Sequence, residues 1–102
     1  MEQSRIRIYF PATSEALKVQ ISANYAYVII NRTTQNFLVY NISNPASPVL
    51  TATLSLNSNP TNIFIDGSYA YVSSISNTQE LQIVNISNPA IPVVTSSFNT
   101  SG

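Results

Sequence analysis

The 102-residue sequence contains no histidine and no cysteine. The side chains that most often serve as general bases, nucleophiles and soft-metal ligands near neutral pH are therefore missing. Acid-base or metal chemistry would have to come from Glu2, Glu15, Asp66 and Glu80, which are scattered along the chain with no spacing that pairs them. Asp66 precedes Gly67, a combination whose commoner use is a tight turn. Glu80 reads as a solvated loop residue. No catalytic residue, metal ligand or cofactor site is expected, although a ring of several chains could gather copies of one carboxylate near its axis.

The tyrosines offer a second kind of chemistry. Tyr25, Tyr27, Tyr69 and Tyr71 combine a flat apolar ring with a polar tip, the combination that stacks on carbohydrate. They also alternate with aliphatic residues, in Tyr25-Ala26-Tyr27-Val28 and again in Tyr69-Ala70-Tyr71-Val72, 44 positions apart. An aromatic residue that returns at a fixed interval usually packs one repeated unit against the next. Packing between units, carried by Tyr25, Tyr27, Val28, Tyr69, Tyr71 and Val72, is thus the preferred assignment.

The rest of the chain keeps the same interval. Asn41-Ile42-Ser43-Asn44-Pro45-Ala46-Ser47-Pro48-Val49 returns from Asn85 to Val93 with only Ser47 replaced, by Ile91. A unit of about 40 to 50 residues is the length of one propeller blade, which cannot bury its own surfaces alone. Val19 to Arg32 reads as two paired strands broken at Ala23-Asn24, with Asp66-Gly67 as the break in the second copy. Asn36 to Ser43 reads as a third strand and Val49 to Leu56 as a fourth. Between them Asn41, Asn44, Pro45 and Pro48, with Asn85, Asn88, Pro89 and Pro92, form the repeat turn, the prolines excluding a helix or central strand. The asparagines are expected to cap it with side chain to backbone hydrogen bonds. Asn41-Ile42-Ser43 and Asn85-Ile86-Ser87 also fit the N-glycosylation pattern, with Asn31-Arg32-Thr33 and Asn99-Thr100-Ser101.

Alternation then says which surfaces are covered. In Tyr25 to Ile30 both alternating sets are largely apolar, so both faces of this sheet must be buried. In Val49 to Leu56 the set Thr51, Thr53 and Ser55 alternates with Leu50, Leu54 and Leu56, the pattern of a half-exposed outer strand.

Phe37-Leu38-Val39-Tyr40-Asn41 and Leu81-Gln82-Ile83-Val84-Asn85 are each preceded by Tyr-Ala-Tyr-Val and followed by Ile-Ser-Asn-Pro-Ala-x-Pro. In this the sequence resembles the LVIVD-repeat β-propellers over residues 17 to 102. The family's usual aspartate is Asn41 or Asn85 here, and most of its glycines are absent. The resemblance implies a fold and no activity.

Composition narrows the partners. Arg5, Arg7, Lys18 and Arg32 balance the four acidic residues, and charged residues are 8% of the chain, against roughly 25% in ordinary domains. Neither nucleic acid nor an anionic membrane surface is favoured as a partner. No stretch has the apolar length of a signal peptide or membrane span. The Ser, Thr, Asn and Gln surface leans towards an extracellular or cell-surface setting.

The expected architecture is all-β. It comprises two four-stranded antiparallel blades, at 17–60 and 61–102, preceded by an extra outer-type strand and linker in 1–16. Closed propellers have about four to eight blades, so two blades leave two faces unpartnered. Three or four chains could close a six- or eight-bladed ring through head-to-tail contacts. The expected function is a non-enzymatic, self-assembling scaffold or binding module of unknown ligand, with itself as partner. Two alternatives stand beside it: a filament subunit exchanging the strand Arg5, Ile6, Arg7, Ile8, Tyr9 and Phe10, and a fragment of a larger surface propeller.

Overall fold

The computed structural model describes residues 16–30, 32–56, 59–75 and 80–98. The strand expected at Arg5 to Phe10 lies outside the described residues. These residues form eight strands: β1 (Ala16–Ser22), β2 (Tyr25–Ile30), β3 (Phe37–Asn41), β4 (Val49–Leu54), β5 (Pro60–Asp66), β6 (Tyr69–Ser74), β7 (Leu81–Asn85) and β8 (Val93–Phe98). They make two sheets, ordered β1-β2-β3-β4 and β5-β6-β7-β8, each antiparallel throughout. There is no helix among the described residues.

The repeat is carried into the structure bond by bond. Ile42 N donates to Asn24 O at 2.8 Å and Ile86 N to Ser68 O at 2.8 Å, while Ile30 N reaches Asn36 O and Ser74 N reaches Glu80 O, both at 3.0 Å. Each blade has the same two irregularities in its ladder, at Ala16/Lys18 and Val39/Tyr40 in the first and Pro60/Asn62 and Ile83/Val84 in the second. Ala16 is the counterpart of Pro60, and each is the first residue of its strand.

The second irregularity changes a face assignment. Tyr40 pairs with Leu50 and Val39 with Ala52, leaving Thr51 as an extra residue. One inserted residue reverses the alternation beyond it, so Leu50 lies on the opposite face from Leu54, not beside it. The Thr51 hydroxyl donates to Val49 O at 3.2 Å, and Thr95 repeats the contact at 3.5 Å.

The hairpin turns also differ from expectation by one position. Asp66 still pairs with Tyr69 as the last residue of β5, so the two turn residues are Gly67 and Ser68, matching Ala23 and Asn24. Gly67 has φ +60° and Ala23 φ +55°. The first turn therefore holds an alanine in a conformation that costs an L-residue roughly 1–2 kcal/mol.

One buried side chain fastens the link between the sheets. Asn36 is fully buried; its Nδ2 donates to Arg32 O at 2.9 Å and its Oδ1 accepts from Leu56 N at 2.7 Å. Leu56, just past β4, is buried among residues of both sheets. Glu80, Asn36's counterpart, is half-buried rather than solvated.

Nothing stands within 4 Å of a Cβ built at Gly67, so only backbone conformation opposes a side chain there. Gly67→Ala should lower stability by about 1–2 kcal/mol and Ala23→Gly should raise it by up to about 1 kcal/mol, read from urea unfolding followed by circular dichroism.

Candidate functional site at the blade faces

Cross-strand pairing sorts each sheet into two faces. In the first sheet a front face carries Tyr25, Tyr27, Ile29, Phe37 and Val39, and a back face carries Ala26, Val28, Ile30, Leu38 and Tyr40. The counterparts in the second sheet are front Tyr69, Tyr71, Ser73, Leu81 and Ile83, and back Ala70, Val72, Ser74, Gln82 and Val84. The sheets meet front to back. Tyr27, Ile29, Phe37 and Val39 of the first form one buried cluster with Ile63, Ala70, Val72, Val84 and Ile86 of the second. Among described strands the backbones approach through β5, chiefly at β1 and more weakly at β2. The two sheets thus converge at their first strands and splay towards β4 and β8, as blades do around an axis.

Aromatic rings hold the middle of this joint. Tyr27 lies between Tyr25, with ring centroids 6.4 Å apart at 43°, and Phe37, at 6.3 Å and 49°. These are tilted geometries that avoid face-to-face repulsion. Burial, with the neighbouring Tyr25 a lesser cause, raises the Tyr27 hydroxyl pKa above the ordinary value of 10.0. Burial raises that of Tyr40 in the same direction.

The residues expected to pack between units are therefore divided by strand alternation. Tyr25, Tyr27 and Val72 lie in the joint. Val28 is buried on the back face of the first sheet in a second cluster with Ala26, Ile30, Leu38, Tyr40 and Ile42. Tyr69 is exposed and Tyr71 half-buried on the front of the second sheet. There Tyr71 lines an open cleft of about 280 Å³ with Asn62, Phe64, Ser73 and Leu81.

The repeat turn is built alike in both blades. Asn41 Oδ1 accepts from Ser43 N at 2.9 Å and from the Ser43 hydroxyl at 2.7 Å; Asn85 does the same with Ser87 at 2.8 and 2.7 Å. Asn44 and Asn88 accept from Ala46 N and Ala90 N through their side chains. Their carbonyls accept from Ser47 N and Ile91 N, closing turns around Pro45 and Pro89. Pro92 is buried and Pro48 half-buried where the chain turns into the outer strands. These hydrogen bonds engage all four asparagine Oδ1 atoms within the turn itself.

The LVIVD repeat model matches residues 14–55 and 58–100, each match spanning one of the two sheets. The chain belongs to the LVIVD-repeat family. No curated protein and no solved structure matches it. LVIVD repeats are propeller-like, and the two sheets are two such blades, each unit beginning on the innermost strand and ending on the outermost.

Among the described residues no group of three or more His, Cys, Asp or Glu could hold a metal ion, and no helix is long and apolar enough to cross a membrane. What the LVIVD blades do present is a pair of unlike ends. On the back of the first, Val19, Ile21 and Leu50 are exposed (49%, 56% and 49%), whereas their counterparts Ile63, Ile65 and Val94 pack into the joint. On the front of the second, Phe64 and Phe98 are exposed (62% and 48%), and Phe98's counterpart Leu54 packs into the joint. Position-by-position comparison of the two repeats is the sequence signal for this, because it shows which substitutions fall on which face.

The joint makes an asymmetric prediction. Phe37→Ala should cost about 3–5 kcal/mol of stability, and the same truncation at its half-buried counterpart Leu81 should cost less than half of that in dilute solution, measured by urea denaturation.

The tyrosines add a pH dependence. A raised folded pKa means that the neutral phenol is favoured by folding, so the contribution is complete below about pH 10 and lost as pH rises through the folded value. Stability should therefore hold from pH 7 to 9 and fall above 10. Absorbance titration of the phenols should lose a late-ionising component in Tyr27→Phe and another in Tyr40→Phe.

Proposed function

We propose that this chain is a non-enzymatic propeller module that completes its ring by self-association, head to tail, and offers the assembled ring faces for binding. The observation that carries this is the reciprocity of its two ends. Val19, Ile21 and Leu50 stand bare where Ile63, Ile65 and Val94 are covered, and Phe98 stands bare where Leu54 is covered. At these positions each end has the residues of one half of the joint without the other half, although the middle of the first blade's back face, from Ala26 to Tyr40, is buried within the chain. A second copy supplies the missing half in the same orientation, which is the heterologous contact that closes a cyclic assembly.

Physical cost supports the same reading. Large apolar side chains left in water forgo about 25 cal/mol for each Å² that burial would remove, and a nearly uncharged surface does little to keep such patches apart. The described carboxylates, Asp66 as the last residue of β5 and Glu80 just before β7, lie at opposite ends of the second sheet, which supports a binding or scaffold role over catalysis. Three or four copies would give six or eight blades, within the usual range of closed propellers.

Light scattering on a size-exclusion column tests this. The expected result is a discrete mass of three or four 11.1 kDa chains. A monomer at every concentration overturns self-assembly, and a broad distribution of very large species replaces the ring with a filament.

A further inference from the structure

The repeat turns hold a motif that the packing of the blades does not use. Of the four asparagines that cap them, Asn44 and Asn88 each precede proline, whereas Asn41 and Asn85 each have a serine two positions on, in Asn41-Ile42-Ser43 and Asn85-Ile86-Ser87. Asn-x-Ser without proline in the middle is the pattern that accepts an N-linked glycan. A chain rich in asparagine and serine matches it easily, and it is the geometry of the turn that separates an acceptor from a mere cap.

A cap and a glycan acceptor use different atoms of one carboxamide. Oδ1 of Asn41 takes the Ser43 amide and hydroxyl, at 2.9 and 2.7 Å, and Oδ1 of Asn85 takes those of Ser87, at 2.8 and 2.7 Å. Neither Nδ2 donates a hydrogen bond among the described residues. Asn36 shows the opposite arrangement: it is fully buried, and its Nδ2 is committed to Arg32 O. Ser43 and Ser87 are exposed, and their bonds to asparagine lie at the surface. Asn41 and Asn85 are the last residues of β3 and β7, and the amide that follows each bonds back to the neighbouring hairpin turn, at Asn24 O and Ser68 O. Both asparagines therefore stand at the same rim of their blades, where strand gives way to turn, and no charged residue lies in either turn.

We propose that Asn41 and Asn85 are N-glycosylation sites, so that each blade carries a glycan on the same rim. The donor is an oligosaccharide joined through its anomeric carbon to a polyprenyl pyrophosphate, and the transfer is the work of a separate glycosyltransferase. Nδ2 attacks the anomeric carbon and a C–N bond forms as the C–O bond to pyrophosphate breaks. One Nδ2 proton passes to a base of the transferase and the lipid pyrophosphate leaves, with no oxidant or reductant required. The product keeps Oδ1, and with it both contacts to the serine, so the glycan is added without displacing what closes the turn. With charged residues only 8% of the chain, a hydrated glycan also supplies solubility that charged side chains ordinarily provide. The proposal does not rest on the self-assembly reading.

Glycopeptide mapping by mass spectrometry, on the protein isolated from the cells that naturally make it, tests this. Sugar should be found on Asn41 and Asn85 and on neither Asn44 nor Asn88. Made in the same cells, Asn41→Gln and Ser43→Ala should each lose the first glycan and keep the second, while Ser43→Thr, which retains a hydroxyl, should keep both. The glycosylated protein should unfold at the same urea midpoint as the chain made in a host without the transferase. Unmodified peptides at Asn41 and Asn85 in the wild-type protein overturn the proposal. A glycan on Asn41 that survives Ser43→Ala, or one that lowers the urea midpoint, overturns the division of roles between Nδ2 and Oδ1 on which it stands.

Discussion

Everything in this chain follows from the need to cover both faces of a sheet whose central strands have no polar side. Tyr25 to Ile30 alternates apolar with apolar, and the third strand does the same from Phe37 to Tyr40. Such a sheet cannot leave one face to water as an ordinary antiparallel sheet does. A second sheet of the same kind covers one face and brings with it an uncovered face of its own. The requirement is passed from one blade to the next.

The repeat makes that transfer orderly. Because the two blades share their ladders, their bulges and their turns, the surface that one offers is nearly the surface that the other accepts. Stability in such an array is a sum of blade terms and joint terms. Tyr27 and Phe37 work there at full burial, whereas Tyr71 and Leu81, chemically almost the same residues, lie half open. Position in the array, more than residue type, decides what a side chain contributes.

The architecture was legible because it is written twice. An interval of 44 residues, an Asn-Pro turn and two-sided apolar strands are enough to define the blade and the order of its strands. Features set by a single residue were less visible. The bulge at Thr51 leaves no compositional mark, so strict alternation places Leu50 beside Leu54 when the inserted residue sends it to the other side. Asp66-Gly67 has the chemistry of a turn, yet the ladder runs one residue further and gives the turn to Gly67-Ser68. The different exposure of the four tyrosines was hidden for another reason: identical local sequence cannot reveal which copy stands at an end.

Asn36 has a consequence for curvature. Its side chain spans from Arg32 O, after β2, to Leu56 N, beside the segment that crosses to β5, and so braces the pivot about which one blade turns relative to the next. The number of wedges that fill a circle depends on the angle of each wedge. A single buried amide at this pivot is thus positioned to act on the angle between the blades as well as on the stability of each.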